Sequence, residues 1–249
     1  MLLKTTMTKR VRIDRLLVER GLFESRAKAQ QAVAAGLVAA DGAIITKPAE
    51  EVSADAALQA APAHPWVSRG GVKLAAALDH FGIDPSDRIC LDVGASTGGF
   101  TQVLLARGAR RVYAVDVGRG QLHASLRERP DVIAIEATDI RELEPARFEM
   151  LPDFVAVDVS FIPLKLVLPA ALALAQPAAE TVVLVKPQYE AGPGHVRKGL
   201  VRDPAVHERV CEDVAAVITA LGWTVFGLIP SPIAGGEGNH EFLIAARRG

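Results

Sequence analysis

The chain has little of what would commit it to a disulfide scaffold, a metal centre or a membrane. It has two cysteines in 249 residues, Cys90 and Cys211. Two thiols cannot build a disulfide framework or supply a four-ligand zinc site. The six histidines show no H-E-x-x-H spacing, so no metal is expected. An excess of one charge is missing as well. The formal net charge is −1, which excludes a chain-wide cationic coat for nucleic acid but leaves room for a local patch. No apolar leader opens the chain, because Met1–Arg20 is basic and broken by charge. With so few cysteines, a cytoplasmic location is expected.

Two uncharged runs invite a membrane reading. Val214–Gly236 is long enough to span. Gly222 interrupts it, Pro230 and Pro232 follow, and Trp223–Ile229 is β-branched and aromatic. It reads as a helix ending near Gly222 and then a buried strand. Leu166–Ala179 is too short and holds Pro169 and Pro177. No membrane is expected as a partner. What remains is a globular composition, 50% hydrophobic and 23% charged, with length for one ordinary domain and a small one.

The charge is unevenly spread. Lys4–Lys28 holds eight Lys and Arg against Asp14, Glu19 and Glu24. An Ala/Pro/His-containing stretch, Ala60–Pro65, reads as a connection. It divides the chain into residues 1–62, a linker at 63–67 and residues 68–249. In the first module Ile13, Leu16 and Leu17 recur at helical spacing and Gly21 stops the helix. Ser25 stands where an N-cap would, before a second helix over about Arg26–Ala35. Leu37–Ala40, the Asp41-Gly42 turn and Ala43–Ile45 form a hairpin pattern. Arg12, Arg15, Arg26 and Lys28 lie on the helices beside it. Singly each is an ordinary solvated cation; together they make a candidate RNA-binding patch. The string RIDRLLVERGLFESRAKAQQAVAAGLVAADG resembles the S4 RNA-binding domain, a small α+β fold.

From Val67 short apolar runs alternate with helical segments. The runs are Ile89–Val93, Val112–Val115, Val132–Ile135, Phe154–Val157, Val182–Val185, Trp223–Ile229 and Phe242–Ala245. Helices are expected near Gly99–Arg107, Gln121–Arg129, Pro163–Ala175 and Pro204–Leu221. The alternation argues an α/β fold with a mostly parallel seven-stranded sheet covered on both faces, and a ligand site beyond the strands' carboxyl ends. Asp92, Asp116, Asp139, Asp158 and Lys186 stand in or just after five of these runs. One such Asp is usually a turn former or a cap; five charges along one sheet edge exceed what solvation needs. The loop from Asp92 through Gly94, Ala95, Ser96, Gly98 and Gly99 to Phe100 is glycine-rich, which permits close backbone approach to a ligand. With Asp116 as a ribose acceptor it suggests a nucleoside-containing cofactor. The spacing is neither G-x-G-x-x-G nor a Walker loop, and no G-x-S-x-G elbow occurs.

D-V-G-A-S-T-G-G-F resembles motif I of class I S-adenosylmethionine-dependent methyltransferases, which are Rossmann-like. Ser68–Leu74, Asp158–Ile162, Leu184–Glu190 and Gly238–Phe242 resemble the TlyA family, which joins an S4 domain to an FtsJ/RrmJ-like methyltransferase domain. The resemblance runs from about Arg12 to Ala245. It implies S-adenosylmethionine as cofactor and 2′-O-methylation of cytidine in ribosomal RNA, within a ribosomal subunit. It also implies a Lys-Asp-Lys-Glu tetrad at Lys73, Asp158, Lys186 and Glu241. Further RNA contacts are expected at Arg69 and in the loop holding Arg197 and Lys198. Two alternatives stand beside this reading: a non-catalytic RNA-binding protein and a membrane-active haemolysin, a label some family members carry.

Overall fold

The computed structural model describes residues 9–249, apart from the side chain of Glu237. Of the basic N-terminal stretch, Lys4 lies outside the described residues. The chain divides into two compact units, Met1–Pro65 and Trp66–Gly249.

The first unit runs β1 (Arg10–Arg12), α1 (Ile13–Glu19), α2 (Arg26–Ala34), β2 (Val38–Ala40), β3 (Ala43–Ile44), β4 (Glu51–Ser53) and β5 (Leu58–Ala60). Ile13, Leu16 and Leu17 of α1 close a small core with Ala29, Ala32 and Val33 of α2. Ser25 caps α2, its hydroxyl accepting from the Lys28 amide at 3.4 Å. The β2–β3 turn has Asp41 and Gly42 at φ 50° and 81°, as a tight two-residue hairpin demands. β5 adds to β2, and β1 pairs antiparallel with β4. These three strands, each three residues long, are too short to show an alternation in sequence.

Asp14 lies under the patch, fully buried. It accepts from Arg12 at 2.9 and 3.1 Å, Arg26 at 2.9 Å and Gln30 at 2.7 Å. The Arg12 hydrogen bond, against the opposing effect of burial, holds its carboxyl well below the usual range. A folded-state pKa below the unfolded value stabilises above about pH 4, and that stability fades as acid protonates the group. Asp14→Ala should cost this unit about 1–3 kcal/mol at pH 7, since both arginines are half exposed. Hydrogen exchange of α1 and α2 amides checks it; the loss should shrink as the pH falls below about 4.

The second unit runs α3 (Gly70–Phe81), β6 (Ile89–Val93), α4 (Gly99–Ala106), β7 (Arg111–Val115), α5 (Ala124–Arg127), β8 (Val132–Ile135), β9 (Phe154–Val157), α6 (Leu164–Ala173), β10 (Glu180–Val185), α7 (Pro187–Glu190), α8 (Pro204–Ala220), β11 (Trp223–Pro230) and β12 (Phe242–Arg248). Among the described residues they form a seven-stranded sheet in the order β11-β12-β10-β9-β6-β7-β8. β12 is antiparallel to both neighbours; β6 to β10 are parallel. β6, β9 and β10 are buried along their whole length, which is why they read as apolar runs. Leu91, Val155 and Val183 pack with Leu164 and Leu168 of α6 and Ile218 of α8. Cys90, Phe154 and Val182, the intervening positions, pack with Leu74 and Leu78 of α3 and Val103 and Leu104 of α4. Helices thus cover both faces.

One helix expectation is modified: the Gln121–Arg129 segment forms only the single turn α5, because the amides before it are bound by a side chain described below. α6 fits the Pro163–Ala175 expectation and continues through Pro169. α3 is additional, and it carries Lys73.

Candidate active site

Strand order reverses at β6: β7 and β8 lie on one side, β9 and β10 on the other. Such a reversal opens a crevice beyond the carboxyl ends of the two central strands. Here the ends of β6 and β9 meet at Gly94. Its φ is 85°, and a Cβ there would run into the Asp158 carbonyl oxygen. Only glycine permits both.

Two cavities adjoin at this point and share Gly94, Ser96, Asp158 and Ser160. The larger, about 350 Å³, is lined by Asp116, Asp139, Val117, Gln121, Ile140 and Ile162 among others. The smaller, about 200 Å³, is lined by Lys73, Lys186, Ser68, Ala95, Gly99 and Phe100 with the shared residues. Of the expected cofactor residues, Asp92 and Gly98 line neither.

The carboxylate of Asp116 is fixed by two amides, Ser96 N–H at 2.8 Å and Gly118 N–H at 2.7 Å. This couples the glycine-rich loop after β6 to the end of β7. Asp139 pairs with Arg141 at 2.6 Å. Asp92 sits deeper, fully buried. It accepts from the Thr101 hydroxyl at 2.6 Å, while its Oδ1 has no hydrogen-bond partner.

The four tetrad candidates form two ion pairs. Lys186 Nζ lies 2.6 Å from Asp158 Oδ1 and donates to Ser160 Oγ at 2.8 Å. Lys73 pairs with Glu241, both buried. Lys73 on its own reads as an exposed helix lysine; in the fold α3 turns it inward. Glu241 reaches the smaller cavity through Lys73 and does not line it. A Cβ on Gly235 would collide with the Glu241 carboxylate, so the loop before β12 holds that group tightly. The start of α3 is equally close-packed: a Cβ at Gly71 would meet the Trp66 ring, and one at Gly99 the Ser68 hydroxyl.

Several cavity-lining residues escaped the reading of the sequence, Ser68, Gln121, Ser160 and Phe161 among them. Phe161 is 87% exposed, has φ 65°, and lines the larger cavity. Its ring lies 5.0 Å from that of Tyr189, tilted by 48°. An aromatic residue just after a strand end was the available signal.

Most of the expected RNA-contact residues already have partners within their own units. Arg12 and Arg26 hold Asp14, Arg15 pairs with Glu19 and Lys28 with Glu24. Arg69 donates to the Ala234 carbonyl. Arg197 forms a bridge with Leu200, and Lys198 between them has φ 51°. Asn239 staples this loop: it accepts from Val201 N–H at 3.3 Å and donates to the Gly199 carbonyl at 2.8 Å. Among the described residues no cluster of ligands could hold a metal, and no helix is long and apolar enough to cross a membrane.

Residues 66–248 match the FtsJ-like methyltransferase family, and residues 11–58 match the S4 domain. The chain belongs to the FtsJ-like methyltransferase family. It joins that domain to an S4 domain, as the TlyA proteins do. It is 46% identical over 244 residues to a protein of Mycobacterium tuberculosis (strain CDC 1551 / Oshkosh), 16S/23S rRNA (cytidine-2′-O)-methyltransferase TlyA, covering 97% of this chain and 91% of that one. It is 37% identical to Hemolysin A of Brachyspira hyodysenteriae, covering 94% and 98%. A solved structure of a candidate hemolysin from Streptococcus thermophilus superposes with a TM-score of 0.77 at 44% identity, covering 97% of this chain and 89% of that one.

In this FtsJ-like domain Asp92 titrates unusually. Burial, reinforced by the charges of Asp158 and Asp116 and opposed by the Thr101 hydrogen bond, pushes its carboxyl up to about 7. A raised folded-state pKa makes the group most favourable in acid. Its contribution falls as pH rises from about 4 towards 7 and is flat above. Asp92→Asn keeps an acceptor for Thr101 and removes the titration. Relative to the variant, the wild-type protein should lose about 1–3 kcal/mol between pH 5 and pH 8. Denaturant unfolding at both values measures it; parallel pH dependence would show that Asp92 does not titrate in this range.

Proposed function

We propose that the protein transfers a methyl group from S-adenosylmethionine to the 2′-hydroxyl of cytidine in ribosomal RNA. The observation that carries this reading is the pair of adjoining cavities, one edged by carboxylates at the ends of β7 and β8, the other by two lysines. The residues present suit the cofactor. Gly94 lets the backbone turn at the edge of both cavities, Asp116 retains lone pairs for ribose hydroxyls, and Val117, Ile140 and Ile162 offer apolar walls to a base. When bound, S-adenosylmethionine supplies an electrophilic methyl on a good leaving group.

The protein's part is alignment and proton removal. A ribose hydroxyl is a weak nucleophile until it loses its proton. We assign that proton to Lys186, whose Nζ is aimed by Asp158 and Ser160. A lysine accepts a proton only when neutral. Lys73, held by Glu241, lines the same cavity as Lys186. Phe161 and Tyr189 would stack on the base of an unpaired nucleotide, a mode suited to RNA loops. The Mycobacterium tuberculosis relative, named an rRNA (cytidine-2′-O)-methyltransferase, supports ribosomal RNA as the substrate; a ribosomal subunit as its context and the cytoplasm as the place of action belong to the same proposal.

Lys186→Ala should abolish methyl incorporation into ribosomal subunits, and Lys186→Arg should not restore it, because guanidinium cannot give up its proton. A Lys186→Arg protein with substantial activity would move proton removal to solvent. No methyl incorporation by the wild-type protein into any subunit, with tight RNA binding, would favour the non-catalytic alternative. Vesicle leakage in the same preparation would favour the haemolysin name carried by the Brachyspira relative.

The S4 unit is proposed to supply much of the RNA affinity. Removing Arg12 or Arg26 would also unpair the buried Asp14, which confuses binding with folding. Arg15 and Lys28 make only peripheral pairs. Arg15→Gln with Lys28→Gln should weaken subunit binding several-fold and flatten the salt dependence by roughly 0.7–0.9 for each phosphate no longer neutralised. An unchanged slope across a salt titration would make these two cations bystanders.

A further inference from the structure

We infer that Glu136 is a positioning residue for the nucleoside half of the cofactor; this rests on the reading of the larger cavity given above. Glu136 directly follows β8 and does not line the cavity. Its carboxylate accepts from three successive amides: Gly120 at 2.9 Å, Gln121 at 2.7 Å and Leu122 at 3.0 Å. Arg127 stands 3.9 Å from it and donates to the Leu122 carbonyl at 2.7 Å.

The segment so held connects β7 to α5. It holds Gly118 and Gly120 and belongs to no strand or helix. Chain of this kind has much conformational entropy to lose on ordering. Backbone bonds tie down its start, where Ala137 N–H donates to the Gly118 carbonyl at 2.7 Å and Thr138 N–H to the Asp116 carbonyl at 3.0 Å, and its end, where His123 N–H donates to the Thr97 carbonyl at 3.2 Å. Between these, Glu136 supplies acceptors for three successive donors. A carboxylate is the group of choice, being the one side chain that can receive several N–H bonds without offering a donor of its own. The amide bonds, that of Leu122 foremost, hold its carboxyl below the usual range.

What the segment carries gives the clamp its function. Val117 and Gln121 line the larger cavity, next to Asp116, whose own carboxylate is aligned by Gly118. Val117 is 71% exposed, and the core grips this segment only beyond it, at the buried Leu122. Glu136 holds the wall from behind, fixing the backbone on the far side of Gly118. A wall preset before the ligand arrives spares the ordering cost at binding.

The probe is S-adenosylhomocysteine, titrated calorimetrically into the full-length chain, with hydrogen exchange of residues 120–122 followed in parallel. Glu136→Ala removes three acceptors and should weaken binding about tenfold. Glu136→Gln keeps one acceptor atom and turns an amide donor towards the remaining N–H, so a loss of a few-fold is expected even if the alanine variant folds poorly. In both, exchange at 120–122 should quicken in the free protein and slow again at saturating ligand. In steady state the KM for S-adenosylmethionine should rise while kcat and the KM for RNA stay near wild type. A Glu136→Gln protein with wild-type affinity overturns the proposal, as does a fall in thermal midpoint with affinity intact, which is the mark of a purely structural role. If the wild-type protein does not bind the probe, the reading of the cavity fails instead.

Discussion

The contact on which the site depends is the approach of the β6 end to the β9 end, Gly94 against the Asp158 carbonyl. Parallel strands already bring these two ends level, Val93 opposite Val157. Without a Cβ at Gly94 the backbone can turn there and still leave Asp158 beside the crevice. Asp158 then meets Lys186 at the end of the next strand. The larger cavity and the smaller one holding the lysines adjoin because both are built around this one junction. Any side chain at position 94 would have to move β9, and Asp158 and Ser160 with it.

Within each unit many charges are matched in pairs. Lys186 has Asp158, Lys73 has Glu241, Asp139 has Arg141 and the buried Asp14 has two arginines. Buried charges need such partners because desolvation is costly. The pairing also sets direction, since a lysine gripped by a carboxylate points one way. Asp92 differs: it has a hydroxyl partner and no cation, and its carboxyl rises towards neutrality. In the S4 unit the same device turns Arg12 and Arg26 into supports for the fold as well as bearers of positive charge.

Much was legible from the sequence because it is local. Ile89–Val93, Val132–Ile135 and Phe154–Val157 are strands over the residues expected of them, since apolar runs of that length have one place to go in a covered parallel sheet. Ser25 and the Asp41-Gly42 turn announce themselves by short-range chemistry. The charges at the strand ends were visible for the same reason: strand ends mark the ligand edge. β1, β4 and β5 were not visible, being too short for periodicity. Nor was the shortening of the helix after Gln121, where a carboxylate fourteen or more positions away captures the amides.

By itself, then, the order of residues determined which segments are strands and helices, that two modules are joined near Pro65, and which charged groups stand at the sheet's ligand edge. Hydrophobic period, turn chemistry and composition settle these within a few residues of chain. The tertiary structure alone decided which charge meets which. Lys73 is separated from Glu241 by 168 positions, and nothing in either neighbourhood names the other. It alone decided that Lys73 faces inward, that Phe161 faces outward, and that Glu136 works on a loop it follows in sequence. Partner choice depends on strand order and on which backbones approach closely, and both are properties of the packed sheet.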